Sequence, residues 1–463
     1  MAGKLDLNEK SVPAALWQVS APMAIGILGV LSVGLADSFF LARAGQDELA
    51  AIGFIYPVIV AITSLSIGLS AGTSAVVSQA LGANGGDDST SARLAMHALI
   101  VAASLATLVA ILLYFVAPWL FGLMGAEGAV LEGIRAYMPW WCLGFPFIVA
   151  GQALNSVFRA GGEARIAASV MLSQAIINIV LDPIFIFGLG PIPELGIEGA
   201  GIATATARIL AFAGCLAFAI RTRRIDISNC SLSGFGASAL RIGKVGGPAS
   251  LSNAINPAGM AAVTAAVAII GESAVGGFGA ATRVQNLLFV PMLALSAGIG
   301  PVVGQAWGSG DKARAQQTVR LTFLLCLGYG IAVSTLLWLT AEPVARVMTN
   351  GLEAVPYAAQ YLRWVSISFF GYGILVTANA AMNAREKPML SLTLSLGRIG
   401  LIYVPLAWAG AYALGYSGIL AAAVAANLGA VLGALVLCRR AGVLGGLDLG
   451  DAARSAAATA RPN

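Results

Sequence analysis

Twelve apolar runs, each long enough to cross a bilayer, follow one another along this chain. They centre in 14–41, 50–81, 93–121, 137–158, 166–188, 197–220, 246–270, 275–307, 318–340, 359–384, 388–411 and 416–438. A spanning helix needs about 20 residues. The apolar residues are continuous rather than alternating, which favours helices over a β-barrel. Charge agrees: only 10% of the 463 residues are charged, against about 25% in a soluble domain. The expectation is an all-α polytopic membrane protein with every span retained, because the first run is too long for a signal-peptide core.

Basic residues set the orientation. With the N-terminus inside, one set of connections holds Lys4, Lys10, Arg93, Arg159, Arg165, Arg221, Arg223, Arg224, Arg241, Lys244, Lys312, Arg314, Arg320, Arg385, Lys387, Arg439, Arg440, Arg454 and Arg461. The opposite set holds only Arg43, Arg135, Arg346 and Arg363. Both termini are therefore expected in the cytoplasm, and the net charge of +5 reads as topology rather than nucleic-acid binding. The five cysteines are scattered and His97 is the only histidine, so neither a disulfide framework nor an imidazole metal centre is expected. No cofactor is expected.

The chain repeats. Val77-Ser-Gln-Ala-Leu-Gly82 matches Val303-Gly-Gln-Ala-Trp-Gly308 at a shift of 303 − 77 = 226. Asn155 pairs with Asn379 at 379 − 155 = 224, and Gly196-x-x-Gly199 with Gly415-x-x-Gly418 at 415 − 196 = 219. Six spans precede and six follow a charged linker. The reading is an N-terminal lobe (1–220), a linker (221–245), a C-terminal lobe (246–440) and a tail (441–463) expected to be disordered. Parallel repeats about an axis along the membrane normal are a transporter architecture.

The halves differ in chemistry. Asp37 falls on Val263, Asn178 and Asp182 on Ile402 and Leu406, and Thr204 on Ala423. An acid within a span costs about 2.5–3.5 kcal/mol on insertion scales, so its presence points to use. Asn178 and Asp182 share a helix face, and at about 1.5 Å per residue Asp37, Asp182 and Thr204 fall at similar depth. Two carboxylates in a dry site cannot both stay ionised cheaply, so the pair can take and release a proton as one coupled site. The plainer alternative is a structural pair at a helix end, with Asp182 stabilising the turn at Pro183. Two carboxylates, an amide and a hydroxyl can also ligate Na⁺. Asn155, lying deeper, is assigned to a substrate cavity with Met23, Gln152 and Gln174, although packing would account for the last three. Pro22 and Pro183 can weaken helix hydrogen bonding and serve as hinges. Arg208, Arg283 and Arg398 lie in spans and either pair with acids or line a cavity. Trp140-Trp141 and Phe39-Phe40 read as interfacial anchors.

With twelve spans in two lobes, L-A-D-S-F-F (35–40), S-I-G-L-S-A-G with V-S-Q-A-L-G-A (66–83), L-D-P-I-F-I-F-G (181–188) and G-A-G-I-A-T (199–204), the chain resembles the multidrug and toxic compound extrusion (MATE) family. The resemblance covers roughly 12–440. It implies a V-shaped pair of six-helix lobes related by a pseudo-twofold. It also implies antiport of organic, mostly cationic, compounds against H⁺ or Na⁺ by a monomer in a bacterial or archaeal plasma membrane. In its DinF-like and archaeal branches the coupling residues match Asp37, Asn178, Asp182 and Thr204, with Asn155 and a bending Pro22. Branches coupled through second-lobe acids need carboxylates in spans 7 and 10; here the span-7 position is near Asn256 and span 10 has none. A lipid-linked oligosaccharide flippase of the same superfamily is the alternative transporter. An intramembrane aspartyl protease would want a Gly-x-Gly-Asp element, which neither acid has, so no enzyme is expected.

Overall fold

The computed structural model describes residues 7–84, 88–222, 224–225, 232–349 and 352–445. The helices are α1 (Val12–Ala44), α2 (Gln46–Ala83), α3 (Asp88–Leu123), α4 (Gly128–Ala160), α5 (Ala164–Ile186) and α6 (Gly196–Arg221), then α7 (Phe235–Ala268). Next come α8 in two segments, Glu272–Leu288 and Val290–Gly308, α9 (Lys312–Met348), α10 (Val355–Ala384), α11 (Pro388–Leu414) and α12 (Tyr416–Arg440). No strand occurs among the described residues. Lipid offers no hydrogen-bond partner, so each run satisfies its own backbone as helix. Among the described residues, eleven spans qualify by length and apolarity alone. The twelfth, α7, is 34 residues long and carries Asn253 and Asn256.

Helices α1–α6 form one lobe and α7–α12 the other. The repeated Gly-x-x-Gly pairs have a shared structural cause. Gly196 and Gly415 hold φ of 52° and 63° at the α5–α6 and α11–α12 turns, a conformation that costs glycine little. A Cβ on Gly199 would lie 2.4 Å from the Phe185 carbonyl oxygen, and one on Gly418 2.3 Å from that of Gly410. Only a bare Cα lets these helices cross so closely. Gly418→Val is expected to destabilise the second lobe by about 1–3 kcal/mol through overpacking, read as a lower unfolding temperature of the purified protein. Gly214→Ala, which has open space, should leave the temperature unchanged or raise it.

The lobes meet at the end of the bundle that carries both termini. There α2 packs along α7, and α1 and α2 pack on the second segment of α8. One apolar cluster crosses the boundary, with Val19, Val77 and Leu154 against Val302, Val303 and Ala378. The repeat is visible in the contacts. Gln79 Nε2 donates to the Ala384 carbonyl (2.5 Å), and Gln305 Nε2 to that of Ala160 (2.6 Å). Gly82 faces the Gln305 carbonyl and Gly308 that of Gln79, each with room for no Cβ. Leu7 N–H donates to Gln305 Oε1 (3.0 Å), and Arg314 Nη2 to the Leu7 carbonyl (2.7 Å), tying the N-terminal segment to the second lobe. Gly34, Gly53 and Gly279, towards the opposite end, face open space.

Three expectations change. Helix α7 begins at Phe235, inside the stretch read as linker (221–245), because Arg241 and Lys244 interrupt the apolar pattern without interrupting the helix. Arg241 instead bridges the lobes, its Nε donating to Glu386 Oε1 (2.8 Å) and its Nη2 to Gln79 Oε1 (3.2 Å). The first residues of the tail are packed: Val443 and Leu444 are buried and Gln316 Nε2 donates to the Gly442 carbonyl (3.2 Å). Positions 446–463 lie outside the described residues. Trp141 is no interfacial anchor; it is fully buried, stacked on Phe145 with centroids 5.0 Å apart.

Candidate functional site

The polar cluster of the first lobe assembles from three helices. Asn178 and Asp182 stand one turn apart on the inner face of α5, both buried, and α6 presents Thr204 beside them. Asn178 Nδ2 donates to Asp182 Oδ1 (3.3 Å) and to Thr204 Oγ1 (3.4 Å). From α1, the half-buried Asp37 brings its carboxyl within hydrogen-bonding reach of Asp182. The four residues proposed from the repeat comparison therefore meet.

Two additions close the cluster. The buried Tyr137 of α4 lies within hydrogen-bonding reach of Thr204. Arg208 of α6 lies near enough to act electrostatically on Asp37, and it stacks over Trp141 at 5.4 Å. Among the described residues it forms no ion pair, and its Nε and Nη1 lack partners. Asp37 Oδ1 and Asp182 Oδ2 are also buried without a donor. Two facing carboxyls with one orphaned oxygen each are one proton short of satisfaction: a proton on either makes a donor for the other. The same oxygens, with those of Asn178 and Thr204, offer hard ligands to Na⁺. Among the described residues no three His, Cys, Asp or Glu side chains cluster as a metal site would.

The remaining candidates lie elsewhere. Asn155 is buried and accepts from Cys215 Sγ (3.9 Å), facing α6 within the lobe rather than the acids. Met23 is buried in the apolar cluster that crosses the lobe boundary. Gln152 and Gln174 are half-buried, and no hydrogen bond joins them to the acid cluster. Pro22 lies inside α1 and borders a groove of about 1020 Å³ between α1 and α5, with Gln18, Gly162 and Arg165. Pro183 sits in the last turn of α5 beside Asp182. Arg283 is exposed.

The second lobe holds a different polar centre. Arg398 lies at the start of a seven-residue π-helical stretch of α11, Gly397–Tyr403. Its Nη1 donates to Asn256 Oδ1 (3.0 Å), and its Nε and Nη2 to Asn427 Oδ1 (3.2 and 3.0 Å). Asn427 Nδ2 donates in turn to Ser368 Oγ (2.9 Å), which turns the amide oxygen towards Arg398. Asn256, Arg398 and Asn427 border a cavity of about 730 Å³ that reaches α2 of the first lobe.

The wider likeness is to transporters. The MatE family model matches residues 22–184 and 248–409, one match in each lobe and together more than half of the chain. The FAD transporter of Shewanella oneidensis is 34% identical over 439 residues, covering 92% of this chain and 94% of the relative. The probable multidrug resistance protein YpnP of Bacillus subtilis is 24% identical over 417 residues, covering 89% and 92%. The crystal structure of the Vibrio cholerae MATE transporter VcmN in the bent form superposes with a TM-score of 0.86 at 28% identity, covering 95% of this chain and all of that one. Twelve spans in two repeated lobes, matched in each lobe and along nearly the full length of transporters, make this chain a multi-pass membrane transporter, not an enzyme, and a member of the MatE family.

Proposed function

We propose that the chain exports small organic compounds by antiport, and that protons entering through the Asp37–Asp182 pair drive the cycle. The observation that carries this reading is the pair of facing carboxyls with an orphaned buried oxygen on each. With the termini in the cytoplasm of a bacterial or archaeal plasma membrane, the lobes are closed on the inside and the open end faces out. A proton taken from outside bridges the two carboxyls and draws α1 against α5. The new hydrogen bond changes the balance between α1 conformations, and Pro22 gives that helix a position at which to bend.

Relatives described as multidrug resistance proteins support drug-like cargo, and the Shewanella relative makes FAD a second candidate. Cationic cargo would suit the acid pair. The flavin reading is favoured by Arg398, the one charged side chain among the described residues that borders the inter-lobe cavity.

Proteoliposomes test the coupling ion. A pH gradient alone, in sodium-free buffer, should drive accumulation of an exported dye, and a sodium gradient at equal pH should not. Accumulation driven by sodium alone would overturn proton coupling and assign the same four side chains to Na⁺.

A further inference from the structure

We infer that the cavity between α2 and the second lobe binds an anionic substrate that carries a phosphate on an aromatic body, with Arg398 holding the phosphate. This rests on the export reading and names its substrate class.

The cavity is about 730 Å³, within the range of small-molecule sites. Tyr56, Pro57, Val60 and Ala61 of α2 form one wall and the second lobe forms the rest, so an occupant touches both moving bodies. Among the described residues, Arg398 is the only charged one along the lining. All its hydrogen-bond partners are neutral amide oxygens, and no carboxylate pairs with it among the described residues. Those bonds use three of the five N–H donors of a guanidinium, leaving two for a ligand. A buried cation without a counter-charge is costly. A planar fork with spare donors matches a phosphate, which it can hold with two parallel hydrogen bonds.

The surroundings fix that cation in place. Asn427 is held by Ser368, and Tyr372 and Tyr403 flank the guanidinium at 5.5 and 6.0 Å. The π-helical stretch, a form often found at functional sites, carries both Arg398 and Tyr403. Beside them Phe289 and Tyr372 stack with centroids 4.2 Å apart. That aromatic wall can take a flat ring while the phosphate lies on Arg398.

The repeat shows that the arrangement belongs to one lobe. Asn427 occupies the place of Arg208 (427 − 208 = 219), and Tyr361 that of Tyr137 (361 − 137 = 224). On this shared frame the first lobe sets two acids against one arginine, and the second sets one arginine against none. A proton and an anion therefore have separate seats and do not compete. A purely structural brace between α7, α11 and α12 would need neither the cavity nor the two unused donors.

The test is equilibrium binding, without any gradient, by the full chain in phosphatidylcholine nanodiscs. Flavin fluorescence reports titrations with riboflavin, FMN and FAD. FMN and FAD should bind, and riboflavin, which lacks phosphate, should bind about tenfold more weakly or worse. Arg398→Gln should remove that difference and Arg398→Lys should keep part of it. Equal affinities for riboflavin and FMN would overturn the inference. So would unchanged FMN binding by an Arg398→Gln protein that melts like wild type. The riboflavin comparison uses wild type and stands whether or not the variant folds. Loss of FMN binding when phosphatidylglycerol is added to the discs would assign the seat to a lipid headgroup and overturn a soluble substrate. Because no gradient is present, failure here is separate from failure of proton coupling.

Discussion

Asp182→Asn is expected to cut pH-gradient-driven transport by about tenfold or more while leaving a folded, membrane-inserted protein, and Asp37→Asn to do the same. Asp182 is fully buried, takes one hydrogen bond from Asn178, and leaves Oδ2 without a donor. The asparagine amide supplies that donor permanently, so the site imitates its proton-bridged form at every pH. The volume scarcely changes and a buried negative charge is removed, so the fold gains rather than loses from the swap. What is lost is the alternation. A bias of about 1.4 kcal/mol already shifts a two-state population tenfold, and a full hydrogen bond to a charged partner contributes about 1.5–3 kcal/mol. Transport should therefore fall by about tenfold or more, and its dependence on external pH should flatten. The check is initial uptake rate in proteoliposomes across a series of imposed pH gradients. Wild-type rates with an unchanged pH profile in both variants would sink the acid pair as the coupling site.

The same four residues could be found in the sequence because the chain carries its own control. A lobe that folds with Ile402 and Leu406 shows that a lobe does not need Asn178 and Asp182, and their cost in an apolar span then points to use. The lobe architecture was readable for a related reason: lipid permits one backbone solution, so apolar length translates into helix. The second-lobe centre was not readable in that way. Arg398 was visible as a charge in a span, but its partners Asn256 and Asn427 come from α7 and α12, at separations of 142 and 29 residues (398 − 256, 427 − 398), and Ser368, which holds Asn427, comes from α10. The π-helical stretch that carries it has no period in the apolar pattern. A signal was nonetheless present: extending the repeat comparison into α12 sets Asn427 on Arg208. The place of Met23 in the cluster that crosses the lobe boundary was not readable, because burial against lipid-facing helices and burial between lobes look alike in a sequence. Trp141 failed as an anchor because a tryptophan near a helix end can turn inward as easily as out, and here it covers Arg208.

The contact between lobes yields the last prediction: Gly82→Ala combined with Gly308→Ala should stop transport by preventing closure at the terminal end. The two positions are related by the repeat (308 − 82 = 226) and do the same work. A Cβ on Gly82 would stand 2.1 Å from the Gln305 carbonyl oxygen, and one on Gly308 2.1 Å from that of Gln79. Both obstacles are backbone, held by the glutamine side chains that cap Ala160 and Ala384 across the boundary. Relief must come from moving the lobes apart. Overpacking of this kind costs about 1–3 kcal/mol per site, which moves a conformational equilibrium roughly fivefold to a hundredfold. The cost falls only on the state in which the terminal ends touch, so the variant should fold and fill the opposite state. Spin labels at Arg165→Cys and Lys312→Cys, exposed on the first and second lobes at that end, report the separation by pulsed resonance in a cysteine-depleted background. The parent should give a short distance, and the double alanine variant a longer or broader distribution together with transport reduced by about tenfold or more. An unchanged distribution with full transport would show that the glycines ease helix packing without governing closure.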